Sequence, residues 1–144
     1  MPDPITILLA DDDIGHRTLM KRNLRRSNVA NELFEFMDGQ AVWDYLCQSK
    51  EDGTLANRGF LVLLDIRMPK LTGIEVLRRM KQDEYLRLIP VIMVTTTDDP
   101  GEVERCHELG CNSYITKPIA YEQFIEAIRN IGLFISIVQV PRLQ

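Results

Sequence analysis

Four aspartates stand where two apolar runs stop. Asp11, Asp12 and Asp13 follow Ile5-Thr6-Ile7-Leu8-Leu9-Ala10, and Asp65 follows Phe60-Leu61-Val62-Leu63-Leu64. Carboxylates gathered in one place repel one another and push a pKa of the group upward unless a cation neutralises them. An all-oxygen donor set suits a hard ion such as Mg2+, which takes one or two protein carboxylates and keeps waters that a phosphate can replace. Two further runs end in residues that would complete such a site. Val91-Ile92-Met93-Val94 leads into Thr95-Thr96-Thr97, which offers hydroxyl donors, and Tyr114-Ile115-Thr116 leads into Lys117-Pro118, which offers an ammonium. A carboxylate that receives a phosphoryl group needs this set. The metal and the lysine neutralise the new oxygens, and the hydroxyl hydrogen-bonds one of them. The chemistry implied is metal-assisted phosphoryl transfer.

The elements that must position these residues alternate as βαβ units. The periodicity predicts strands over 5–10, 32–36, 60–64, 90–94 and 113–116, and helices over 14–26, 39–48, 73–82, 99–109 and 121–132. Short continuous apolar runs read as strands covered on both faces, the pattern of a parallel sheet. Such a sheet binds its ligand beyond the carboxyl ends of the strands, where strand order reverses, and the four acids sit at those ends. Gly39-Gln40 opens one helix, Gly110 follows the end of another, and Pro90 sits at a strand start where it loses no ladder bond. Ser49 to Gly59, polar and glycine-containing, reads as a simple connection.

At 144 residues the chain fits one domain that buries about two thirds of its unfolded surface without staples. Its net charge of -4 argues against a nucleic-acid footprint and points to protein partners. Cys47, Cys106 and Cys111 are odd in number and lie in periodic apolar segments, so reduced, packed thiols of a cytosolic protein are expected. A zinc site from Cys106, Cys111 and His107 lacks a fourth ligand, since His16 is far away in sequence. No signal peptide and no apolar stretch of about 18 residues is present, so a cytoplasmic location away from the membrane is expected. Arg17, Lys21, Arg22, Arg25 and Arg26 recur at helical spacing around Ile14, Leu19, Met20 and Leu24. The expectation is a solvated helix face, the alternative a docking surface for an acidic partner helix.

The residues at the four strand ends carry a resemblance to the receiver domain of two-component response regulators, over residues 5–132. The match rests on Asp11-Asp12, on Asp65-Ile66-Arg67-Met68-Pro69 with Gly73 four beyond the proline, on Thr95, and on Lys117-Pro118. It implies a flavodoxin-like (βα)5 doubly wound parallel sheet with strand order 2-1-3-4-5, which sets the first and third strands side by side at the switch point. It also implies that the Asp65 carboxylate attacks the phosphohistidine of a sensor histidine kinase to form an aspartyl phosphate. By the same resemblance Asp12 binds Mg2+ directly, Asp11 through water and Arg67 through its main-chain carbonyl, with Asp65 itself among the metal ligands. Lys117 pairs with the acyl phosphate, and the Lys117-Pro118 bond is cis, an isomer of low cost before proline. Thr95 is the switch hydroxyl, and Tyr114 the aromatic that turns inward as Thr95 moves, a population shift biased by the phosphate. The implied product is a signalling switch that catalyses only its own phosphotransfer and dephosphorylation, with a receiver over 1–132 and no effector domain.

This sequence departs from the family pattern in places. Asp13 adds a third acid, expected to cap the following helix rather than tighten metal binding. Arg67 is a cation where many members carry Asn, and its side chain either covers the phosphate or points to solvent. Thr96 and Thr97 fill positions often held by small or charged residues, so the family's dephosphorylation rate does not transfer. Residues 133–144 form an apolar extension, including Phe134, Ile135, Ile137 and Val138, that resembles the tails of small regulators partnering phytochromes. It packs on its own domain or, as expected here, on a second copy, because an exposed apolar strip of this length is unusual in a soluble monomer. Two rivals remain. A haloacid-dehalogenase-like phosphatase would use Asp11 as nucleophile but needs acids after the lysine, where only Glu122 and Glu126 occur. A non-phosphorylated pseudo-receiver scaffold is disfavoured because every expected site residue is present.

Overall fold

In the computed structural model of the protein, residues 5–26, 28–96, 99–117 and 121–130 are described. The strands are β1 (Thr6–Ala10), β2 (Leu33–Phe36), β3 (Phe60–Leu64), β4 (Val91–Thr95) and β5 (Ser113–Thr116). The helices are α1 (Ile14–Arg26), α2 (Gly39–Glu51), α3 (Thr54–Asn57), α4 (Gly73–Lys81), α5 (Pro100–Leu109) and α6 (Tyr121–Asn130), with a 3-10 turn at Leu86–Leu88.

All strand pairs are parallel and the order is β2-β1-β3-β4-β5, as expected for a flavodoxin-like sheet. Every residue of β1, β3 and β4 is buried, which is why these strands read as unbroken apolar runs. Alternate residues serve two cores. Leu8, Val62, Leu64, Val91 and Met93 pack with Val42 and Leu46 of α2, Val76, Leu77 and Met80 of α4, and Cys106 of α5. Ile7, Leu9, Leu61, Leu63, Ile92 and Val94 pack with Met20 and Leu24 of α1 and Phe124 and Ala127 of α6. Each fully buried leucine contributes roughly 1.5–3 kcal/mol of transfer free energy.

Local chemistry sets the helix ends. Asp13 accepts from the His16 amide at 3.0 Å and so caps α1, the expected role. Asp38 accepts from Ala41 N at 2.7 Å, and Thr72 from Glu75 N at 3.2 Å. Gly110 ends α5 in the left-handed region, φ 98°, which a glycine enters without Cβ strain.

Three expectations need correction. Ser49 to Gly59 is not a simple connection: α2 continues to Glu51 and Thr54–Asn57 forms its own helical turn. One turn is too short to display a 3.6-residue period, and Asp52 starts it by accepting from Thr54 N at 2.9 Å. The apolar set of α1 is split, since Met20 and Leu24 are buried while Ile14 is 71% exposed and Leu19 also faces out. Arg17 is not on a solvated face; it is buried, for a reason given with the site below. The cysteines are free, with Cys106 and Cys111 buried. Burial pushes the Cys111 thiol up to about 11, that of an unreactive packed group. The 3.8 Å approach of Cys111 Sγ to His107 Nδ1 makes no metal cluster. The Lys117-Pro118 bond, Thr97, and the tail from residue 131 lie outside the described residues.

Candidate functional site

Strand pairing alone brings the first acids together. Ala10 is level with Leu64, and the Asp65 amide donates to the Ala10 carbonyl at 3.0 Å, so Asp11 and Asp65 leave adjacent strands at the same height. Asp11 is fully buried, Asp65 is 7% exposed, and Asp12 is exposed at the mouth. One oxygen from each lies within 4.8 Å of the others. Thr95 closes β4, fully buried, and its carbonyl accepts from Lys117 N at 2.9 Å, which ties the ends of β4 and β5.

That tie delivers Lys117 into the acids. Its ammonium contacts Asp11 Oδ2, lies 3.1 Å from Asp65 Oδ2, and is 3.0 Å from His16 Nδ1. The other Asp11 oxygen accepts from Asp13 N at 2.9 Å. Three carboxylates face one ammonium, so negative charge is in excess. The donors toward the open side are all oxygen and Asp12 leaves the mouth accessible, a set that fits a hard divalent ion. Asp13 stays with its cap, where the His16 amide holds its carboxyl below the ordinary carboxylate value.

The loop after β3 is locked beneath this pocket by Gly73. Its amide donates to the Ile66 carbonyl at 2.8 Å, and a Cβ at this position would lie 2.0 Å from the Asp65 carbonyl oxygen. Only glycine lets α4 start so close to the acid-bearing residue. Arg67, in the same loop, sends its guanidinium outward to Glu102 Oε1 at 3.5 Å with its side chain 71% exposed, which is the solvent-facing alternative. Tyr114 is half-buried against the core beneath α2, α4 and α5.

Two residues here were missed by sequence reasoning. His16 was weighed only as a distant fourth ligand for Cys106, His107 and Cys111, and its place beside Lys117, set by the first turn of α1, was not foreseen. Arg17 was assigned to a solvated face, but its Nη1 donates to the Asp11 carbonyl at 2.7 Å and its Nε to Glu35 Oε1 at 3.1 Å. Lys21 takes the second Glu35 oxygen at 2.8 Å. The lysine hydrogen bond, opposed by burial and helped by Arg17, holds the Glu35 carboxyl below its ordinary value. The available signal was Glu35 itself, an acid between Phe34 and Phe36 in a strand.

Comparison with known proteins agrees with this arrangement. Residues 7–129 match the response regulator receiver domain family. Response regulator Rcp1 of Synechocystis sp. is 34% identical over 131 residues, 91% of this chain and 88% of that protein. The bacteriophytochrome response regulator AtBRR superposes with a TM-score of 0.78 at 33% identity, covering 99% of both chains. A phosphorylated cyanobacterial phytochrome response regulator, RcpA, superposes with a TM-score of 0.71 at 32% identity, over 91% of this chain and 93% of that one. With the expected strand order and the acid pocket at the strand ends, this chain belongs to the response regulator receiver domain family of two-component systems.

Proposed function

We propose that this receiver is a phosphorylation-dependent switch in which Asp65 accepts a phosphoryl group from the phosphohistidine of a sensor histidine kinase. The observation that carries the reading is the convergence of Asp11, Asp12 and Asp65 within 4.8 Å with the Lys117 ammonium set against them. An Asp65 carboxylate oxygen forms the new O–P bond as the N–P bond of the phosphohistidine breaks and the imidazole leaves with its electron pair. Asp11, Asp12, Asp65 and the Arg67 carbonyl would hold Mg2+, which would supply charge neutralisation to the phosphoryl oxygens. Lys117 exchanges its bond to Asp65 for one to a phosphoryl oxygen. The Thr95 hydroxyl takes another, and Tyr114 moves inward behind it. Those contacts exist only with phosphate present, so they bias the equilibrium between two packings.

The output is contact with other proteins, not nucleic acid or membrane. Among the described residues no helix is long and apolar enough to cross a membrane. The receiver spans 1–132, and residues 133–144 associate with a second copy to give a homodimer. A bacterial phytochrome is the favoured kinase class, because AtBRR and RcpA, both similar over more than nine tenths of this chain, are phytochrome response regulators. The phosphatase alternative with Asp11 as nucleophile is disfavoured because Glu122 and Glu126, the acids it would need after the lysine, are exposed on α6.

The test is intact-mass analysis after incubation with acetyl phosphate. One phosphoryl group should add in the presence of Mg2+, none with chelator, and none on Asp65→Asn. Undiminished labelling of Asp65→Asn would refute the assignment, and failure of the wild type to bind Mg2+ would favour the scaffold alternative.

A further inference from the structure

We propose that Arg17 is a positioning residue for the acid pocket, holding the peptide between Asp11 and Asp12 so that both carboxylates face the metal. The proposal rests on the reading of those acids as a Mg2+ site. Asp11 lies one residue beyond the ladder of β1: its amide still reaches β2, donating to the Phe36 carbonyl at 3.1 Å. Its carbonyl instead accepts from the Arg17 guanidinium at 2.7 Å. That carbonyl belongs to the peptide from whose two ends the Asp11 and Asp12 side chains leave. Fixing it therefore fixes the directions of both. Partners that orient ligands in this way commonly matter to affinity almost as much as the ligands themselves.

A buried guanidinium is costly unless paired, and here Arg17 has both a carboxylate and a main-chain carbonyl as partners. The Arg17 side chain is almost fully enclosed, and its Nε meets Glu35 Oε1 at 3.1 Å. Glu35 is itself held by Lys21 at 2.8 Å. The result is a chain of contacts from β2 through α1 to the pocket: Lys21, Glu35, Arg17, the Asp11 carbonyl. Glu35 has a second role, since it offsets a positive charge buried close to where a divalent cation binds. Charge and orientation thus act in opposite directions. Were Arg17 a mere cation beside the site, deleting it would tighten Mg2+ binding; as a positioning residue, deleting it loosens binding.

The experiment is a Mg2+ titration by isothermal calorimetry on the full chain, with thermal unfolding in metal-free buffer as the folding control. Arg17→Met, which keeps the apolar stem, should weaken Mg2+ binding by about tenfold or more, the loss typical of removing an orienting partner. Arg17→Lys should also weaken it, because a single ammonium cannot serve the Asp11 carbonyl and Glu35 as the fork does. Glu35→Gln should weaken it through the uncompensated guanidinium, while Lys21→Gln, at the exposed end, should change it little. If Arg17→Met fails to fold, Arg17→Lys decides, because it keeps the positive charge and removes only the fork. Unchanged or tighter Mg2+ binding in folded Arg17 variants, with only the melting temperature lowered, overturns the proposal. A wild type that binds no Mg2+ overturns the underlying site reading instead, and is recognised because the parent itself is silent.

Discussion

Gly73→Ala adds one methyl where α4 begins, and it should unsettle both the fold and the acid pocket. The new Cβ would lie 2.0 Å from the Asp65 carbonyl oxygen and 2.8 Å from its carbon, whereas real Cβ contacts essentially never fall below 3.0 Å. The obstacle is backbone, so no side chain can swing aside. Either α4 or the Asp65 peptide must move. Overpacking of this kind costs roughly 1–3 kcal/mol. Shifting the start of α4 also strains the Gly73 to Ile66 hydrogen bond of 2.8 Å, worth about 1 kcal/mol. Against this, alanine is preferred to glycine inside a helix by at most about 1 kcal/mol. The net expectation is a loss of about 2 kcal/mol. In urea, with a slope of about 2 kcal/mol/M, the midpoint should fall by about 1 M. Beryllofluoride binding should weaken in parallel, because the displaced peptide carries Asp65, the proposed phosphoryl acceptor. A midpoint equal to or above that of the wild type would show that the close approach of α4 to Asp65 is not as described.

Other expectations follow from single contacts. Asp38→Ala removes the bond to the Ala41 amide at the start of α2 and should cost about 1 kcal/mol, read from the urea midpoint. The folded Glu35 carboxyl sits below its ordinary value, so its contribution is present above the ordinary carboxylate range and lost as pH falls through and below it. Glu35→Gln should accordingly flatten the acid limb of a melting-temperature profile while lowering its neutral plateau; an unchanged acid limb would contradict this. Cys111, its thiol pushed up to about 11, should not react with a disulfide reagent at pH 8 in the folded protein, yet should react fully in denaturant. Lys117→Ala should retain or tighten Mg2+ binding in calorimetry, since a cation leaves the acids, but lose most of the spectral change caused by beryllofluoride, because it removes a contact to the phosphoryl group.

The sheet was legible because fully enclosed strands leave unbroken apolar runs, and because the chemistry sits where those runs stop. Asp11, Asp65, Thr95 and Lys117 could be placed by that rule alone, and parallel register did the rest. What was not legible depended on which way a side chain turns. Arg17 and Arg25 look alike in a helical pattern, but Arg17, in the first turn of α1, reaches the Asp11 carbonyl at the end of β1 and is buried, while Lys21, one turn on, meets Glu35 from a more exposed position. The spacing of Ile14 and Met20 likewise does not reveal that Ile14, the first residue of α1, is exposed while Met20 is buried. The helical turn Thr54–Asn57 offers one period and hence no periodicity, and its start is set by Asp52 rather than by apolar spacing. His16 illustrates the same limit, since closeness to Lys117 depends on the successive parallel crossovers from β1 to β5, which sequence distance hides.

Chemical trapping of the acceptor tests the central claim most directly. After phosphorylation with acetyl phosphate and Mg2+, borohydride reduction converts an aspartyl phosphate to homoserine, which peptide mass mapping locates to one residue. Homoserine at position 65, absent without Mg2+ and absent from Asp65→Asn, is the expected result. Homoserine at position 11, or a stable phosphoryl group on a residue outside the acid pocket, would contradict the assignment of Asp65 as the phosphoryl acceptor.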